Sequence, residues 1–91
     1  MPVTLIGTLR CVDDAQAGIV RRHLPEHTRL TRAEAGCLQF DVTPTDDPLV
    51  WDVSERFATR AAFDAHQTRA KASAWGQATA GIPRSYTLTE T

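Results

Sequence analysis

Stretches of strict apolar and polar alternation are separated along this chain by segments whose apolar residues recur at helical spacing, and the two periods predict most of its elements. "VTLIGTLRCV", Val3 to Val12, is β-branched and aliphatic and ends at Asp13 and Asp14. That predicts a strand followed by a helix start, because an Asp at the N-cap accepts from the orphan amides of the first turn. Both alternating sets, Val3/Leu5/Leu9/Cys11 and Thr4/Ile6/Thr8/Val12, contain apolar members, so the strand is expected to need cover on two sides. From Ala15 to about Ala33, the positions Ala15, Ile19, Val20, Leu24 and Leu30 keep a rough helical period. Pro25 lacks an amide hydrogen and predicts a kink or restart. Gly36, free to take a left-handed conformation, ends the segment.

"CLQFDV", Cys37 to Val42, alternates again, with Leu38, Phe40 and Val42 on one face. "TPTDDP" is loop by composition. "LVWDVSERF", Leu49 to Phe57, puts Leu49, Trp51, Val53, Glu55 and Phe57 on one side. Two strands so closely joined predict an antiparallel hairpin. Glu55 then lies among apolar neighbours, where an acid needs a partner or an open cavity. Thr59 caps a second helix. At about 100° per residue, Phe63, His66 and Ala70 share one narrow stripe, which turns the imidazole inward. Trp75 would point the other way on an unbroken helix, unless Thr68 caps a second short one. Gly81 and Pro83 close the helical region, and "RSYTLTE", Arg84 to Glu90, is a last strand.

The order is strand, helix, strand, strand, helix or helix pair, strand. This is the ferredoxin-like β-α-β-β-α-β arrangement of the α+β class, an antiparallel sheet with helices on one face. With Ile6, Trp51, Val53, Leu38 and Phe40 spread over the strands, the other face is expected to be too apolar for water. A homodimer formed through that open face would cover it and relieve the small core of a 91-residue chain.

Length predicts a single domain over residues 1–91, and 42% hydrophobic with 23% charged residues is a globular balance. The formal net charge of -1, without a basic stripe, argues against nucleic acid and anionic membranes as partners. The N-terminal stretch is too short and polar for a signal-peptide core, so a cytoplasmic location is expected. Cys11 and Cys37 fit neither a CxxC nor a zinc spacing and are expected to be buried thiols. His23 and His27 lie four apart around Pro25, with no third ligand at a telling spacing; solvent exposure is expected for both, and no metal site.

"RAEAGCLQFDV" followed by "DPLVWDVSERFATRAAFDAHQTR" resembles the antibiotic biosynthesis monooxygenase family of the quinol monooxygenase type. The likeness is carried by Glu34, Gly36, Cys37 and Phe40, then Glu55 and Phe57, then Ala62, Phe63 and His66, and it runs from about Val3 to Tyr86. It implies a dimeric α+β barrel, two sheets facing each other, with a pocket in each subunit between sheet and helices. It also implies oxygenation of quinols or polycyclic phenols by molecular oxygen with no cofactor. Other members cleave haem or isomerise small phosphorylated carbonyl compounds, so the fold does not fix the reaction. The chain contains no asparagine. The haem-degrading branch and a branch acting on aromatic polyketides both use one, so neither site carries over intact.

His66 is the foremost candidate. A cofactor-independent monooxygenase must first deprotonate its phenol or quinol, and imidazole titrates in the right range; packing beside Phe63 with a bond to a carbonyl or to Glu55 is the structural alternative. Glu55 either orients His66 or pairs with Arg56, Arg69 or Arg84. Trp51, Phe57, Phe63, Trp75 and Tyr86 form an aromatic set that could bind a small aromatic or quinone-like ligand in a dry pocket. For Trp51, ordinary core packing comes first. Glu34 is expected to cap or to pair with Arg32 or a partner subunit. The other readings are a non-catalytic ligand-binding or stress-associated domain and an isomerase of a small carbonyl compound.

Overall fold

The computed structural model describes residues 1–90, in the order β1 (Val3–Arg10), α1 (Asp14–Arg32), β2 (Cys37–Pro44), β3 (Val50–Phe57), α2 (Arg60–Ala72), α3 (Ala74–Ala78) and β4 (Arg84–Glu90). One four-stranded antiparallel sheet has the strand order β2-β3-β1-β4, which is the ferredoxin-like α+β topology. Local chemistry sets the helix starts. Asp13 accepts from the Gln16 amide, and Thr59 does the same for Ala62. Gly36 follows α1 with φ 86, and a Cβ there would come within 2.6 Å of the Ala62 Cβ, so both backbone and space select glycine.

The helices cover one face of the sheet. Val3, Leu5 and Leu9 of β1 lie there beside Trp51, Val53 and Phe57 of β3, and with Ala17, Val20, Phe63, Trp75 and Ile82 they form the core. Phe57 has no exposed surface, so truncating it to alanine would cost about 3 to 5 kcal/mol. Cys11 is buried within this cluster, whereas Cys37 is only half-buried, and both are free thiols.

The structure departs from the pattern in the sequence at several points. Helix α1 runs unbroken through Pro25, which sits on its exposed face, where water can take the carbonyl that proline leaves unpaired. Helix α2 continues past Thr68, whose hydroxyl bonds back to the Asp64 carbonyl. The break falls at Ser73, extended in ψ, whose side chain accepts from the Gly76 amide and starts α3. That corner turns Trp75 back into the core. The register of β2 slips between Cys37 and Gln39, so Leu38 leaves the inner face and is 58% exposed.

The sheet's open face is also more polar than anticipated, because Trp51, Val53 and Phe40 all face the helices. Ile6 stands at its centre, 51% exposed, with Ser54 and Thr87 beside it on the neighbouring strands. No helix among the described residues is long and apolar enough to cross a membrane.

Candidate active site

His66 lies on the buried stripe of α2, one helical turn beyond Phe63, and is 3% exposed. Its Nδ1 is 2.7 Å from Glu34 Oε1, in the turn between α1 and β2. Arg69 fixes the same carboxylate, donating from Nε to Glu34 Oε2 at 3.1 Å and from another guanidinium nitrogen to Thr31 Oγ1 at 2.9 Å. Burial works to raise the Glu34 carboxyl, but the hydrogen bonds and charges of Arg69 and His66 outweigh it and hold the group below its ordinary range. An ionised carboxylate only accepts, so the His66 proton resides on Nδ1 and the Nε2 lone pair is free. Burial lowers the His66 pKa, against the raising effect of Glu34, which keeps the ring neutral at neutral pH.

Glu55 projects from the inner face of β3 with Oε1 3.6 Å from His66 Nε2. That oxygen is buried without a hydrogen-bond partner. None of the arginines proposed for it from the sequence pairs with it among the described residues: Arg56 is exposed, Arg69 is held by Glu34, and Arg84 donates to the Thr79 and Ile82 carbonyls. Burial, and then the charge of Glu34, push the Glu55 pKa up to about 7. A lone-pair base and an acid that keeps much of its proton up to about pH 7 thus stand side by side, with a gap slightly too wide for a direct bond. A hydroxyl or carbonyl oxygen lodged there could contact both.

The rings divide into two groups. Phe57 stacks on His66 at 4.9 Å between centroids and Phe63 meets Phe57 edge-on, so both back the imidazole. Trp51 packs in the core across from Leu9, away from the cavity. Trp75 and Tyr86 do line a cavity of about 60 Å³, together with His66, Glu55, Phe40 and His27. Five of its lining residues, Gln67, Ala70, Trp75, Arg84 and Tyr86, also line a broader surface depression of about 500 Å³. A narrow inner chamber therefore lies beneath a wide mouth.

His27 corrects the expectation of solvent exposure. It is 4% exposed, lies 4.7 Å from Trp75 with the ring planes within 4° of parallel, and its Nδ1 has no partner. Burial, and then the Arg69 charge, lower its pKa to about 3. It is a neutral wall of the chamber. No group of three or more His, Cys, Asp or Glu side chains among the described residues could hold a metal ion.

The sequence pattern of the antibiotic biosynthesis monooxygenase family matches residues 2–78. This chain belongs to that family. Among solved structures it is similar to Rv0793 from Mycobacterium tuberculosis, at 23% identity and TM-score 0.77 over 100% of this chain and 95% of that one. A candidate antibiotic biosynthesis monooxygenase from Nitrosomonas europaea aligns at 20% identity and TM-score 0.82, covering 99% and 89% of the two chains. PA3566 from Pseudomonas aeruginosa aligns at 24% identity and TM-score 0.76, covering 99% and 93%. At such identities these likenesses establish the fold. No curated protein matches the chain.

The stretch matched to the family pattern contains Glu34, Glu55, His66, Arg69 and Trp75, while Arg84 and Tyr86 lie beyond it. Glu34 proves to be bonded to His66 and Arg69, whereas Arg32 turns to Asp41 and the Phe40 carbonyl. His27 had a visible signal, since Val20, Leu24, His27 and Thr31 follow one helical stripe. The roles of Arg69 and Phe40 left none, because both depend on how α1, α2 and β2 cross.

Proposed function

We propose that this chain is a cofactor-independent monooxygenase acting on a phenol, quinol or anthrone-type substrate, with His66 as general base and Glu55 as the acid beside it. One observation carries this reading: an imidazole whose Nδ1–H is held by an ionised carboxylate lines, beside a buried acid, a chamber of about 60 Å³. Nε2 takes the substrate proton, and the resulting electron-rich anion gives an electron to dioxygen. For an anthrone-type methylene, carbon–oxygen bond formation then gives a hydroperoxide, whose second C–H proton is lost as the O–O bond breaks. One oxygen atom becomes the new carbonyl and the other leaves as water. Glu55 supplies the proton that the departing oxygen needs, and the burial of His66 and Glu55 limits the water that could reprotonate the carbanion.

The test is oxygen uptake with a panel of quinols and anthrones. His66→Ala, with its fold checked by circular dichroism, is expected to lower turnover on the order of 100-fold. An unchanged rate removes His66 from the mechanism.

The small chamber and the paired acid and base also favour a second reading, proton transfer next to the carbonyl of a small compound. Solvent-deuterium exchange into substrate without oxygen uptake would select it. Pairing of two copies through the open sheet face belongs to the proposal as well, supported by Ile6 and the uncharged side chains beside it. Sedimentation equilibrium that finds only monomer at micromolar concentration removes that part.

A further inference from the structure

The inner chamber, about 60 Å³, is smaller than the roughly 150 Å³ cavity that admits a benzene molecule. If the function proposed above holds, the ring of the substrate stays in the outer depression and only its reacting edge enters. That depression has flat walls, Trp75 and Tyr86, and its only formally charged lining groups are the cations Lys71 and Arg84. The chain as a whole is slightly acidic, with a formal net charge of -1, so this local excess of positive charge is not the general character of the surface. Arg84 is also held in place: it donates from Nε to the Ile82 carbonyl and from a terminal nitrogen to the Thr79 carbonyl. A fixed guanidinium recognises a carboxylate at a smaller entropic cost than a free one. The one acid in contact with the chamber, Glu55, lies deeper, and its pKa, raised to about 7, leaves it only partly ionised near neutral pH.

We infer that the substrate is a planar phenol or quinol bearing an anionic substituent, its ring against Trp75 and Tyr86, its hydroxyl toward His66 and its carboxylate between Lys71 and Arg84. The mouth thus selects by charge, while the chamber holds the reacting edge.

The test is calorimetric titration of the intact protein with 1-naphthol and with 1-hydroxy-2-naphthoate, which differ by one carboxylate. The carboxylated probe is expected to bind at least about tenfold more tightly at low salt, with the advantage shrinking as ionic strength rises. Lys71→Glu, at an exposed position, is expected to cut that advantage by at least about fivefold. Arg84→Lys keeps the charge but loses the fork, and is expected to retain part of the preference. His66→Ala is expected to keep it whole. Equal affinity for the two probes in the wild-type protein, or a preference unmoved by Lys71→Glu, overturns the inference. Because these are binding measurements, a wild-type protein that shows the preference but consumes no oxygen with any quinol removes the monooxygenase reading and leaves this one standing.

Discussion

Replacing Glu55 by glutamine removes a buried ionisable group and keeps its shape, so the consequence for stability can be worked out from the structure. The carboxyl has an ordinary value of 4.5 and is pushed up to about 7, chiefly by burial and then by the charge of Glu34. A folded-state pKa raised above the unfolded one means that folding favours the protonated form. Its contribution is fully present below about pH 4.5 and is lost as pH climbs through about 7. At about 1.4 kcal/mol per unit, holding Glu55 buried costs about 3 kcal/mol at pH 8 and about 1 kcal/mol at pH 5, a difference of about 2 kcal/mol. His27 and His66 act in the opposite sense, because their pKa values are lowered and their contribution is lost as pH falls below 6.5. They are present in both proteins and cancel in the comparison. Scanning calorimetry of wild type and Glu55→Gln at pH 5 and pH 8 is therefore expected to show the variant gaining roughly 10 °C in relative Tm between the two conditions. Parallel pH profiles would refute the assignment of Glu55 as a raised, buried acid.

Glu34→Gln removes the carboxylate that raises the His66 pKa, so the acid limb of any pH–rate profile is expected to move to lower pH, with turnover falling by about tenfold as Arg69 loses its partner. Stopped-flow rates across pH check both. Gly18→Ala introduces a methyl with only an Arg21 side-chain nitrogen within 4.0 Å, inside α1, and is expected to raise stability by about 0.5 to 1 kcal/mol in urea denaturation. Gly36→Ala meets both a positive φ and the Ala62 methyl, and the same assay is expected to show a loss of at least about 1 kcal/mol.

Periodicity in the sequence located every strand and both long helices, because each buries one face and the apolar residues record which face that is. The inward turn of His66 could be read from its place one helical turn beyond Phe63. What could not be read are facts of packing. The bulge that turns Leu38 outward arises from pairing with β3, and no single strand carries that information. Trp51, Val53 and Phe40 were spread over two faces because alternation within a strand does not say which of its faces meets the helices. His27 looked like a solvent-facing partner of His23 beside a proline, yet its burial follows from the stripe it shares with Val20, Leu24 and Thr31. The bond from Glu34 to His66 spans a separation of 32 residues and appears only once α1 and α2 are laid on the same sheet.

The last strand is an edge strand that pairs only with β1, yet Arg84 and Tyr86 on it help frame the opening above the chamber. The acid–base pair is carried by β3 and α2, upstream in the chain. Lys71 and Trp75, on α2 and α3, complete that opening, so a chimera that borrows only its final strand from a relative would exchange Arg84 and Tyr86 alone; under the proposed function it is expected to acquire an altered appetite for substrates while the buried pair stays as it is.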